Sequence, residues 1–216
     1  MRHNYLKTPY APAHISRMLS ERQGHLFEAA DALPEGFAYQ REFLGVAEES
    51  ALLARLRGLP FQEAQYREWT AKRRVVSFGG RYDFAHHQLL PAPQMPDCLQ
   101  PLRQRIGEWT GLPAESFQHV LVSEYRTGVP LGWHRDVPEF EVIVGVSLAG
   151  LARMRLRPYP PRRGQRAALT LEIEPRSIYS LRGAARWSWQ HAISPTKELR
   201  YSITFRTRRR SGDSPP

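Results

Sequence analysis

Arg200-Tyr201-Ser202-Ile203-Thr204-Phe205-Arg206 carries the clearest structural signal in this chain. Arg200, Ser202, Thr204 and Arg206 alternate with Tyr201, Ile203 and Phe205. That period of two specifies a β-strand with one polar and one apolar face. The apolar residues argue for a buried strand rather than a solvated edge. Buried arginine demands an acidic partner, and no acidic pattern nearby in the sequence matches both arginines. The two lie roughly 20 Å apart at about 3.3 Å per residue, and each side chain can lean inward. A short dianion held between two planar guanidinium forks, which pair carboxylates bidentately, meets the demand.

Upstream stand His134-Arg135-Asp136 and then His191. Two histidines and one carboxylate form the ligand set of a mononuclear Fe(II) centre with positions left open for a cosubstrate and oxygen. Residues i and i+2 of a strand project from the same face, so His134 and Asp136 can reach one ion. The interval to His191 is long enough for several antiparallel strands to return to the same place. The remaining histidines are His3, His14, His25, His86, His87 and His119. His86 and His87 are adjacent, would face opposite ways on a strand, and read as surface or loop residues. No Ser-His-Asp nucleophile is evident, and no catalytic group beyond the metal ligands is expected.

Many short strands separated by turns fit a sandwich or barrel. Strands are expected at Arg73–Phe78, Phe117–Tyr125, Val142–Leu148, Ala152–Arg157, Ala167–Ile173, Ser177–Leu181 and Arg200–Thr207. Gly79-Gly80 after the first of them reads as a hairpin turn. Two helices precede most of the strands. Glu48–Leu59 places Leu52, Leu53 and Leu56 on one face. The second has Asp97 as N-cap, an apolar stripe of Leu99, Leu102, Ile106 and Trp109, and a stop at Gly111. Residues 1–34 read as an arm with a short helix near Ile15 to Ala30, residues 35–207 as one domain, and residues 208–216 as a basic flexible tail.

The chain has 216 residues, 41% of them hydrophobic, enough for one well-buried core and short for two. No run of eighteen apolar residues would form a transmembrane helix, and no apolar segment follows the N-terminal charges as in a signal peptide. The one cysteine, Cys98, excludes an internal disulfide and a CxxC-type zinc site. A reducing cytoplasm and a monomer are the expectation. The formal charge of +10 points to a polyanionic partner, nucleic acid foremost.

Together these residues resemble the AlkB-like Fe(II)/2-oxoglutarate dioxygenases. The matching motifs are Tyr125-x2-Gly128, His134-x-Asp136, Ser147-Leu148, Gly183-x2-Arg186-x4-His191 and Arg200-Tyr201-x-x-Thr204-Phe205-Arg206. They span roughly residues 36 to 207. His-x-Asp alone is weak, whereas the ordered set ending in the arginine strand is specific. The resemblance implies a mainly β fold, a double-stranded β-helix (jelly-roll) core with two helices supporting one face. It implies Fe(II), 2-oxoglutarate and O2 as cofactor and cosubstrates, and oxidative demethylation of alkylated DNA or RNA bases. His134, Asp136 and His191 would hold the metal. Arg200, with Tyr125 as a hydroxyl donor, would take the distal carboxylate of 2-oxoglutarate, and Arg206 would lie near its metal-side carboxylate. Ser202 and Thr204 complete the expected cradle, with Ser123 where many members carry asparagine. Serine offers one hydroxyl in place of an amide that both donates and accepts.

Substrate contacts are expected from Trp69 to Phe84, where basic and aromatic residues mix. Trp69, Phe78 and Tyr82 would stack on an extruded base while Arg73 and Arg74 hold phosphates. The other reading is an amphipathic hairpin with its aromatics on the core. Trp133, next to His134, would wall the pocket or sit in the core. Arg186 would touch substrate or brace the strand, for instance through the second oxygen of Asp136. Arg153, Arg155 and Arg157, followed by Arg162, Arg163 and Arg166 among prolines, form a basic stripe that could grip a phosphate backbone. The same charges would also protect an exposed edge. Two other functions compete: the same chemistry on a tRNA base or a protein side chain, and a non-catalytic nucleic-acid-binding module that kept the fold.

Overall fold

The strand that carries both arginines, Arg200–Arg208 (β13), lies at the centre of the larger of two main sheets. The structure, a computed structural model, describes residues 33–66, 69–164 and 169–209. The expected N-terminal helix, Arg166 and most of the basic tail lie outside them.

The first six strands are Phe37–Gln40 (β1), Gln62–Tyr66 (β2), Trp69–Phe78 (β3), Arg81–Asp83 (β4), Gln88–Leu90 (β5) and Phe117–Tyr125 (β6). Leu131–His134 (β7), Phe140–Ala149 (β8), Ala152–Pro158 (β9), Leu169–Ile173 (β10), Ile178–Leu181 (β11) and Trp189–Ile193 (β12) follow before β13. The helices are Val46–Leu56 (α1), Gln100–Thr110 (α2) and the single turn Gly183–Trp187 (α3). The major sheet has the order β1-β11-β8-β13-β6-β3-β2, and the minor sheet β10-β9-β12-β7. This is the expected jelly-roll, with side chains of both sheets lining one cavity.

Both faces of β13 are buried, and they serve different ends. Tyr201, Ile203 and Phe205 join Val120 and Val122 of β6 and Val144, Val146 and Leu148 of β8 in the main core. Leu52, Leu53 and Leu56 of α1 and Leu102 and Ile106 of α2 pack on that layer, so the two helices support one face of the sheet as their apolar spacing demands. Glu49 of α1 fastens the helix to the sheet. Its carboxylate accepts from the Ala149 amide at 2.8 Å and from Arg176 at 3.3 Å.

Some boundaries differ from expectation for local reasons. Helix α1 begins before Glu48 because the Glu48 carboxylate accepts the Gly45 amide at 2.7 Å, and it stops before Gly58 and Pro60. Residues Asp97–Leu99 form a separate 3-10 turn rather than the cap of α2, because Pro101 suits the first turn of a helix and not its interior. Gly79-Gly80 is not a hairpin turn: β3 pairs with β2 and β6, and the hairpin is β4 with β5. Gly79 has φ +73°, and a Cβ there would collide with the carbonyl of Gln118. It serves close backbone approach instead.

Phe205 is fully buried in the layer between helices and sheet. Phe205→Ala should destabilise the protein by about 3–5 kcal/mol, read as a lower urea midpoint with an unchanged slope. An unaltered midpoint would place the residue outside the core.

Candidate active site

Antiparallel pairing lines up the polar face of β13 with its neighbours in rows. Arg200 stands opposite Tyr125 and Ala149, Ser202 opposite Ser123 and Ser147, Thr204 opposite Leu121 and Gly145, and Arg206 opposite His119 and Ile143. These rows floor a cavity of about 570 Å³. The minor sheet contributes the opposite wall. There His134 of β7 is the register partner of His191 of β12, and the two rings lie 4.2 Å apart. Strand β7 ends at His134, so Asp136 comes from the loop beyond it rather than from the next inward strand position.

One nitrogen or oxygen from each of His134, Asp136 and His191 can be chosen so that all lie within 4.8 Å of one another. His134 donates Nδ1–H to the Gly132 carbonyl at 2.9 Å, which leaves Nε2 to present a lone pair. Asp136 Oδ1 accepts from Arg206 Nε at 3.0 Å and from Nη2 at 2.9 Å. Its Oδ2 faces His191 Nε2 at 3.7 Å. The donor set, the tautomer it favours and the free carboxylate oxygen fit a divalent iron.

Arg206 is therefore the partner of Asp136, not a second fork for a dianion. Its third contact is His119 Nδ1, at 3.3 Å. The picture of a ligand held between two arginines gives way to one with Arg200 alone at the far end. Arg200 is 1% exposed, and its Nε donates to the neutral hydroxyl of Ser147 at 3.0 Å. Among the described residues no carboxylate pairs with it, so a buried cation is left facing the cavity beside the Tyr125 ring. Such a charge suits a carboxylate ligand. Ser123, Ser202 and Thr204 line the same cavity.

Tyr179 of β11 bears no mark in the sequence. Its ring lies across Gly145, where any Cβ would collide with it, and it is buried on the cavity wall. Burial pushes its hydroxyl up to about 12, so it stays protonated as a donor near Arg200. His119 joins the site as well. The sequence signal for it is its place two, four and six residues before Leu121, Ser123 and Tyr125, on the inward parity of β6.

The expected substrate residues divide. Arg73 is inward and lines the cavity. Its neighbour Arg74 points to the helix-covered face, where Nε and Nη2 each reach Glu124 at 2.8 Å. It is a structural ion pair rather than a phosphate contact. Phe78 shares that parity and is core. Tyr82 lines the cavity in an edge-to-face pair with Phe84, with 5.0 Å between centroids. The side chain of Trp69 lies outside the described residues. Trp133 alternates with the inward His134 and so faces the outer side of the minor sheet, with Arg157 and Arg155 stacked on it. It does not wall the cavity. Arg186 does not meet substrate either. It is 2% exposed and donates to the carbonyls of Val137 at 2.8 Å and Phe140 at 2.9 Å, bracing the loop that follows Asp136. His86 is an exposed partner of Asp83, and His87 is exposed.

Burial alone would push the Asp136 carboxyl up. Arg206 and the imidazoles of His191 and His134 outweigh it and hold the group well below the usual carboxylate range. His191 is pushed down to about 3 by burial and then by His134. His119 is pushed down to about 3 by burial and then by Arg206. His134 is lowered too, chiefly by burial. Neutral imidazoles and an ionised carboxylate are the states a metal ion requires.

Residues 36–206 match the model of the 2OG-Fe(II) oxygenase superfamily. The chain is 28% identical over 192 residues to "Uncharacterized protein L905" of Acanthamoeba polyphaga mimivirus, spanning 79% of this chain and 84% of that protein. It is 29% identical over 174 residues to the "Alkylated DNA repair protein ALKBH8 homolog" of Arabidopsis thaliana. That match takes in 70% of this chain and 49% of the plant protein, so the chain spans about half the length of that relative. Among solved structures, OsALKBH1 superposes with a TM-score of 0.63 at 19% identity, covering 81% of this chain and 99% of that one. A Pseudomonas putida prolyl-4-hydroxylase gives 0.53 at 16% identity, covering 82% and 94%. Both share the fold.

His119 and His191 have ordinary values near 6.5 when unfolded and about 3 when folded. Both are lowered, so their stabilisation is complete above about pH 6.5 and is lost as pH falls toward about 3. The metal-free protein should lose up to about 1.4 kcal/mol per pH unit for each of them in that window. Urea unfolding at about pH 7 and about pH 5 measures it, and equal stability at both would show that neither is buried neutral.

Proposed function

The chain belongs to the 2OG-Fe(II) oxygenase superfamily, and within it we propose that it acts as an AlkB-like dioxygenase that oxidatively demethylates alkylated bases of nucleic acid. The observation that carries this reading is a single cavity. It joins the His134, Asp136 and His191 cluster to an aromatic hairpin bearing Tyr82 and Phe84, with Arg73 and Arg81 beside it. The plant relative is named as an alkylated-DNA repair protein, and the net charge of +10 suits a polyanion. The likeness to prolyl-4-hydroxylase is one of fold and adds no substrate.

Each part of the cavity has a task in this scheme. His134, Asp136 and His191 would hold Fe(II), and Arg206, by occupying Oδ1 of Asp136, leaves Oδ2 as the oxygen available to it. Arg200 pairs the distal carboxylate of 2-oxoglutarate, with the hydroxyls of Tyr125 and Tyr179 close by. In this family Fe(II), with 2-oxoglutarate and O2, supplies the oxidising equivalents that insert a hydroxyl group into a C–H bond. A hydroxylated N-methyl group is a hemiaminal, which expels formaldehyde and restores the N–H. Tyr82 and Phe84 present flat, apolar surface to an extruded base, and Arg73 brings a positive charge to the same wall.

Two outcomes test the metal and the cosubstrate. Asp136→Ala and His191→Ala should abolish stoichiometric Fe(II) binding along with 2-oxoglutarate turnover, and full turnover by either would sink the ligand assignment. Arg200→Ala should weaken 2-oxoglutarate binding at least about tenfold, since a charge-assisted hydrogen bond contributes about 1.5–3 kcal/mol. Anaerobic calorimetry reads this directly, and unchanged affinity would make Arg200 purely structural.

The substrate reading is tested by formaldehyde release from methylated single-stranded DNA, methylated RNA and a methylated peptide. Release from an oligonucleotide is expected, with Tyr82→Ala and Phe84→Ala each losing about 1–3 kcal/mol of substrate binding. Release from the peptide alone would overturn the nucleic-acid reading and leave the dioxygenase chemistry standing.

A further inference from the structure

The minor sheet has two faces. One carries His134 and His191 into the cavity. The other is basic. Strand β9 alternates buried Ala152, Met154 and Leu156 with outward Arg153, Arg155 and Arg157. Among the four strands of this sheet the sole carboxylate is Glu172, on β10 opposite Arg153.

These arginines are not guarding an edge, because β9 is an interior strand. Arg153 meets Glu172 at 3.2 Å, with both side chains more than half exposed, and such a pair contributes little. Arg157 donates from Nε to the Gln190 side-chain oxygen at 2.9 Å. Arg155 and Arg157 stack on the indole of Trp133, 5.1 and 4.3 Å from its centroid. Among the described residues Arg155 Nε has no hydrogen-bond partner, although it is buried. A guanidinium stacked on a ring keeps the in-plane N–H groups of its outer edge available to a phosphate, and for Arg155 these exclude the buried Nε. Along β9 the three arginines recur at intervals of about 7 Å, comparable with successive phosphates of an extended strand. Beyond β7, Arg135 lies 3.6 Å from the exposed ring of Tyr159, donates to the Trp187 carbonyl at 2.8 Å and lines the cavity.

The face lies one strand's thickness from the metal cluster. Trp133 directly precedes His134, and β7 is the edge of the sheet. A polynucleotide with one base in the cavity can pass round that edge and lay its backbone across Trp133 and the β9 arginines. We propose that the outer face of the minor sheet docks the phosphodiester backbone of a single-stranded nucleic acid whose alkylated base occupies the cavity. The proposal rests on the nucleic-acid reading of the cavity and adds to it the path taken by the rest of the strand.

The test is fluorescence anisotropy of an unmodified single-stranded oligonucleotide on the full chain at several salt concentrations. In the double variant Arg153→Gln/Arg155→Gln, the slope of log affinity against log salt should become shallower by about 0.7 for each phosphate that is no longer neutralised. Its low-salt affinity should fall at least about tenfold, while melting temperature and 2-oxoglutarate turnover without polymer stay as in the wild type. Glu172→Gln, which removes the opposing charge, should tighten binding and gives an independent reading should the double variant fold poorly. Wild-type slope and affinity in the double variant, with Glu172→Gln also neutral, would overturn the docking face while leaving the nucleic-acid reading intact. Absence of oligonucleotide binding by the wild type even at low salt would overturn both. Equal competition by polyglutamate of matched charge would assign the face to acidic protein and overturn it as well.

Discussion

The pairing of Arg206 with one oxygen of Asp136 is the constraint around which the site is arranged. A carboxylate this deeply buried would take up a proton if left alone. The guanidinium keeps it ionised and occupies Oδ1 through two N–H groups, so Oδ2 is the oxygen left facing His191. Arg206 is held in turn by His119 and by its place in the middle of the major sheet. Since Asp136 itself lies on a loop, the sheet fixes through Arg206 what the end of β7 does not. Removing one member of a buried pair of this kind leaves an uncompensated charge, which is far more costly than never having had the pair.

That arrangement is possible because β13 is buried on both faces and uses them differently. The apolar face takes the helices, and their packing supplies the core. The polar face is then free to carry Arg200, Ser202, Thr204 and Arg206 into a cavity instead of into solvent. Positive charge at both ends of one strand would repel, and the two ends are treated differently. Arg206 is neutralised by the protein. Arg200 is left with the hydroxyl of Ser147 and stands ready for an anion from outside.

What can be read in the sequence follows from this division. The polar and apolar alternation of residues 200–206, the His134, Asp136 and His191 set and the two amphipathic helices are local or ordered patterns, and all three recur in the structure. Parity is equally legible for Arg73, Arg74 and Phe78. Neighbours on a strand cannot share a face, so Arg74 and Phe78 have to turn away from a cavity that takes Arg73. Trp133 obeys the same rule, since a residue next to an inward His134 must look outward. Where the rule fails is two residues earlier: an irregular register between β7 and β12 lets Leu131 line the cavity along with His134. Arg186 is illegible for another reason. Its partners are the carbonyls of Val137 and Phe140, backbone groups that no side-chain pattern advertises. Tyr179 is hidden because it matters only through Gly145, a neighbour on another strand, whereas His119 is marked by its parity on β6 and only its partner Arg206 is supplied by pairing.

The two positive features of the chain differ in how they are satisfied, and this separates chemistry from docking. Inside the cavity, burial makes each charge specific. Arg200 is buried beside the hydroxyl of Ser147, and Arg206 is committed to Asp136. On the outer face of the minor sheet two of the arginines rest on an aromatic ring and the third meets an exposed carboxylate, where electrostatics are screened and no single contact is strong. An arrangement of that kind suits a long, repetitive anion bound by several weak contacts and indifferent to sequence. The same four strands thus offer a selective surface on one side and a permissive one on the other, and Trp133-His134 is the point at which the chain passes between them.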